Sequence, residues 1–165
     1  MRKDLTAGVV LFASLLASPK SLHPHQHVIS DLSYNKDPRY IRLKTFLQKR
    51  ESPIVHLTSD FIAAADRNNL DWRLLPAIAT LESSAGKRYR NNNIFGWDSC
   101  EVRFPTVRDG IHQVANRLSE SELYRDKDLD GILSTYNPYS SYTARIKSIM
   151  RKLGTPLSRR AARVN

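Results

Sequence analysis

The sequence predicts a mainly α-helical fold, with no more β structure than a minimal hairpin or loop lobe. Three observations predict it. Apolar residues recur at three- and four-residue spacing in several separate stretches, the one-sided pattern of amphipathic helices. Helix-start and helix-stop residues bracket those stretches. Only residues 97–104 read as extended.

The elements follow in order. Asp37 and Pro38 open a first helix, in which Tyr40, Leu43 and Leu47 share one side through Arg50; Pro53 breaks it. Ser59 caps a second helix whose apolar face is Phe61, Ile62, Ala64 and Ala65. Asp71 caps a third that runs toward Gly86, and Pro76, lacking an N–H, marks where it kinks or restarts. Thr106 and Asp109 form a capping box before the face Val107, Ile111, Val114, Ala115 and Leu118. A short helix from Leu129 to Tyr136 ends ahead of Pro138. The last begins near Ser140, aligns Tyr142, Ile146, Ile149 and Leu153, and stops at Gly154 and Pro156.

Outside these helices the chain is punctuated by composition. Residues 1–18 combine a basic start at Arg2 and Lys3 with an apolar run from Leu5 to Ala17 and small residues beyond it, the pattern of a secretory signal peptide. The run is shorter than the roughly 20 residues a membrane-spanning helix needs, so no stable span is expected after cleavage. Residues 19–36 read as a flexible leader, 37–154 as one domain with one core, and 155–165 as a basic tail. Cys100 is the sole cysteine, so no intrachain disulfide forms and packing must stabilise the domain.

With 26 Lys and Arg against 16 Asp and Glu, the chain favours anionic partners. No recognition helix or aromatic-basic motif accompanies the charge, and with a signal peptide present nucleic acid is the poorest partner.

The chemistry points to Glu82. It ends an apolar helical run beside Leu75, Ile78, Ala79 and Leu81, where partial desolvation disfavours the carboxylate and raises its pKa. A carboxyl still protonated near neutrality can donate to a leaving oxygen.

Four segments set Glu82 in a pattern. They are LLPAIATLESSAGK (74–87), NNNIFGW (91–97), FPTVRDGIHQVANRL (104–118) and ILSTYNPYSSYTARIKSIM (132–150). In this order they resemble the lysozyme-like superfamily, most closely the endo-β-N-acetylglucosaminidase-like bacterial cell-wall domains, with lytic transglycosylases as relatives. The resemblance implies a lysozyme-like helical domain that cleaves the β-1,4 bond between N-acetylglucosamine and N-acetylmuramic acid. It implies a secreted or periplasmic, wall-associated enzyme with peptidoglycan strands as substrate and anionic wall polymers as further partners. No cofactor or metal is called for.

The same resemblance distributes roles. Glu82 becomes the general acid, with Ser83 and Gly86 completing the Glu-Ser pattern around it and Ser83 among the substrate-binding residues. Tyr136, in STYNP, becomes the catalytic tyrosine near it, or else a tyrosine closing a helix against the core; Tyr142 is the alternative, with helical spacing that favours packing. Phe95 and Trp97 offer aromatic faces to sugar rings, and Asn92 and Asn93 either bind N-acetyl groups or supply turn geometry. Asp98 and Glu101 are the available second carboxylates for a hydrolase. A transglycosylase needs no second acid, and a wall-binding module would need no acid at all.

Two other clusters carry less. His23, His25 and His27 alternate in the leader as metal-capturing imidazoles do. Asp126, Asp128, Asp130 and Gly131 start like a calcium loop, but its twelfth position is Asn137 rather than Glu, and a capped turn explains them more simply.

Overall fold

The computed structural model describes residue 34 and residues 36–156. The expected signal peptide, nearly all of the leader with its three histidines, and most of the basic tail lie outside the described residues. Six α-helices organise the described chain: α1 Pro38–Gln48, α2 Thr58–Arg67, α3 Leu74–Ser83, α4 Val107–Glu120, α5 Leu129–Tyr136 and α6 Ser140–Leu153. The mainly α-helical class is as expected. No helix among the described residues is long and apolar enough to cross a membrane.

Helix α3 lies at the centre. Leu74, Leu75, Ala77, Ile78 and Ala79 are all essentially inaccessible, because α2 packs on one side and α6 on another. Helix α2 in turn packs along α4, α1 covers α2, and α5 lies on α6. The core joins Phe61, Leu75, Ile78, Ile111, Val114 and Ile146, and a T-shaped pair between Phe61 and Phe95 ties the loop before α4 into it.

Local signals explain most helix ends. The Asp37 carboxylate accepts from the Arg39 N–H, Thr106 from the Asp109 N–H and Asp128 from the Gly131 N–H, each satisfying an orphan donor of a first turn. Two caps differ from expectation. Helix α2 starts at Thr58 out of a preceding 3₁₀ turn, Val55–Leu57, so Ser59 lies inside it. At α3 the cap position is Arg73, whose N–H and guanidinium both bond Asp71. Pro76 then falls at the third helical position, where its missing N–H leaves no helical bond unmade, and α3 runs through without a break.

Two further expectations are corrected. Tyr34 belongs to the domain rather than to a free leader: its carbonyl accepts from the Asp37 N–H, and its hydroxyl donates to Asp66. The hairpin over 97–104 is replaced by a 3₁₀ turn, Trp97–Cys100, with Asp98 and Ser99 in left-handed conformation. Among the described residues the only β pairing is a single antiparallel bridge, Arg90 to Asn93.

Candidate active site around Glu82

Helix α3 ends in a tightly pinned turn. Ser84, Ala85 and Gly86 are all left-handed, which reverses the chain immediately after Glu82. The Ser83 hydroxyl donates to the Ala79 carbonyl and accepts from the Gly86 N–H, while Ser52 donates to the Ala85 carbonyl. A Cβ on Gly86 would meet Ile54 at 2.9 Å, so glycine there answers a close approach as well as a positive φ. Ser83 is 2 % exposed. It fixes the helix end on which Glu82 stands and presents nothing to a ligand, which corrects its expected substrate role.

The asparagine-rich loop faces this helix end. Asn91 and Asn92 take left-handed φ, which Asn tolerates. Asn93 is buried, with its amide donating to the Trp97 and Val102 carbonyls and its oxygen accepting from the Trp97 N–H. The Asn92 amide donates to the Phe104 and Pro105 carbonyls. Both side chains are spent on loop shape, so the turn-building reading replaces N-acetyl recognition. Their work carries Gly96 onto the acid: a Cβ there would lie 3.1 Å from Glu82 Oε2, and φ is +66°. Gly96→Ala is expected to destabilise the fold by about 1–2 kcal/mol through left-handed strain and to displace the Glu82 carboxyl; thermal unfolding and activity measured together check it.

Glu82 is exposed as a residue, yet its carboxyl is crowded by the loop, and burial pushes its pKa above the ordinary value. Tyr142 and Arg145, one turn apart on α6, oppose that rise: the hydroxyl through a polar contact and the guanidinium through its charge. The Tyr142 hydroxyl is buried and makes no hydrogen bond of good geometry. Its contact with Glu82 is therefore long or misaligned. Burial, the neighbouring tyrosine and Glu82 together raise the Tyr142 pKa, so it stays a neutral donor. Tyr142→Phe removes a group that favours the Glu82 carboxylate. A further rise in the Glu82 pKa is expected, read from an NMR titration of its side-chain carboxyl carbon.

The two tyrosines thus exchange expected places. The Tyr136 hydroxyl donates to the Phe95 carbonyl, supporting the loop from below. Its ring stacks on Tyr142 at 5.9 Å and meets Trp97 edge-on at 5.6 Å. Trp97 also contacts Tyr124, and the Arg117 guanidinium lies 5.7 Å from its ring centre. A half-buried Trp97 keeps some face for a ligand, whereas Phe95 is fully buried and cannot stack on a sugar.

Asp98 and Glu101 are exposed on the 3₁₀ turn and the residue after it, and neither is among the groups acting on the Glu82 carboxyl. Sequence reasoning missed Arg145 and Tyr124; the three-residue step from Tyr142 to Arg145 was the one available signal for the former. At the calcium-like run, Asp128 is a helix cap and Asp130 pairs with Lys147. Two cavities lie elsewhere, one of about 340 Å³ beside Leu70, Leu118 and Leu129, the other of about 530 Å³ between α1 and the end of α6. Compared with known proteins, the chain matches no family model, no curated protein and no solved structure.

Proposed function

We propose that this protein is an exported glycosidase that cleaves the β-1,4 bond between N-acetylglucosamine and N-acetylmuramic acid in peptidoglycan, with Glu82 as general acid. The observation that carries this reading is a solvent-reachable carboxyl whose pKa is raised by the loop packed against it. Such a group keeps its proton to higher pH than a free glutamate does and, while protonated, can pass it to a departing glycosidic oxygen. The neutral Tyr142 hydroxyl beside it can stabilise the carboxylate left behind, and Arg145 adds a positive charge to the same end. Residues 1–18 support export, and the basic balance of the chain suits an anionic wall.

A second reading, a lytic transglycosylase, is favoured by one feature: among the described residues the groups acting on Glu82 are a tyrosine and an arginine, with no second carboxylate. In that chemistry the sugar's own hydroxyl closes onto the anomeric carbon. Purified peptidoglycan incubated with the protein, followed by mass analysis of released fragments, separates the readings. Reducing ends indicate hydrolysis and anhydro ends indicate internal closure. Tight sedimentation with wall and no fragments would sink both in favour of a binding module.

A further inference from the structure

The cavity of about 530 Å³ between α1 and the C-terminal end of α6 has a composition that the Glu82 chemistry does not use. Its floor is apolar, formed by Phe46 and Leu153, and Ile41 stands at its edge 53 % exposed. Four cations ring that floor: Arg42, Lys49, Arg50 and Lys152. No acidic residue lines the cavity, and none of the four has a carboxylate partner among the described residues. The Arg50 guanidinium lies 3.6 Å from the Phe46 ring centre and donates to the Phe46 carbonyl, and partial burial lowers its pKa.

We propose that this cavity binds an anionic phospholipid, with the headgroup phosphate among the four cations and an acyl chain laid over Ile41, Phe46 and Leu153. Charge complementarity selects the anion. A soluble polyanion would be served by the cations alone and would gain nothing from the apolar floor or from an isoleucine left in water; each buried methylene of an acyl chain gains from both. The volume is that of an ordinary small-ligand site. Tyr142 and Lys152 lie ten residues apart on α6, so the lipid site lies about 15 Å along that helix from the tyrosine that neighbours Glu82. A protein docked through this end would hold its acid close to, and not against, the membrane surface. The proposal stands independently of the role given to Glu82.

The test is site-resolved. Dihexanoyl phosphatidylglycerol, a short-chain soluble lipid, is titrated into the full chain while methyl NMR signals of Ile41 and Leu153 are followed. Saturable shifts at those methyls are expected, and much weaker ones with the phosphatidylcholine homologue. Lys49→Gln combined with Lys152→Gln should weaken binding about thirtyfold, the product of two surface cations each contributing its usual electrostatic increment. Ile41→Ser should weaken it as well; all three positions are exposed, so the variants keep the fold. Equal response to the choline lipid, shifts confined to residues outside the cavity, or glycerol phosphate matching the lipid in affinity would each overturn the proposal.

Discussion

Glu82→Gln is expected to lower the rate of glycan cleavage by roughly 10²–10⁴-fold, the ordinary contribution of a positioned general acid, while the protein folds at least as well as the wild type. The stability half of this prediction follows from the direction of the pKa shift. Because the folded-state pKa of Glu82 is raised, the native state retains a proton that the unfolded chain has released, so above the ordinary value of 4.5 its ionisation works against folding. Glutamine has nothing to ionise and escapes that penalty. The variant's unfolding midpoint should therefore equal or exceed the wild type's at neutral pH, and the two should converge as pH falls below the ordinary glutamate range. The rate half has its own pH signature. Wild-type activity on peptidoglycan should decline as pH rises through the elevated Glu82 pKa, since the acid form is the donor. Thermal unfolding and a pH–rate profile on the same preparations check both halves. A wild-type rate retained by Glu82→Gln would remove Glu82 from the chemistry, and a marked loss of stability would show that the carboxyl serves the fold.

Much of this arrangement was legible in the sequence because helices advertise themselves locally. The boundaries of α5 and α6 follow from Asp128, Pro138 and Gly154, residues whose backbone chemistry acts within a turn of where they stand. The same locality placed Glu82 at the end of α3 and the asparagine-rich loop after it. Three-dimensional pairing was less legible. Phe95 and Trp97 are two residues apart and equally aromatic, yet one is locked in the core and the other half open, a difference set by Phe61 on a distant helix. Tyr136 and Tyr142 are separated by a helix break, and only the docking of α6 on α3 decides which hydroxyl meets Glu82. Asn92 and Asn93 carried two readings because a side-chain amide serves loop carbonyls and sugar amides with the same hydrogen bonds. The carbonyls they reach come from residues four to thirteen positions away, beyond any local pattern.

The largest stability effect expected anywhere in the domain comes from a residue that hydropathy assigns to the surface. Arg39 is 2 % exposed and sits between Asp37 and Asp66, whose side chains are 9 % and 7 % exposed. Its guanidinium donates twice to Asp66, at 2.6 and 3.0 Å, and its Nη2 and Nε both reach Asp37. Burial alone would lower the pKa of the guanidinium; the hydrogen bonds and charges of the two aspartates outweigh it, and the Arg39 pKa is raised. The planar fork bridges the N-cap of α1 to the last turn of α2, a geometry that a lysine cannot reproduce. Arg39→Met keeps most of the volume but leaves two buried carboxylates without their shared cation, and a loss of about 3–5 kcal/mol is expected from denaturant unfolding. The cause is separable from lost packing. Adding Asp37→Asn and Asp66→Asn to Arg39→Met removes the uncompensated charge while keeping the side-chain shapes, so the triple variant should be more stable than the single one. If the triple variant is instead the less stable, the aspartates matter through their own hydrogen bonds to the backbone and to Tyr34, and the charge argument for Arg39 fails.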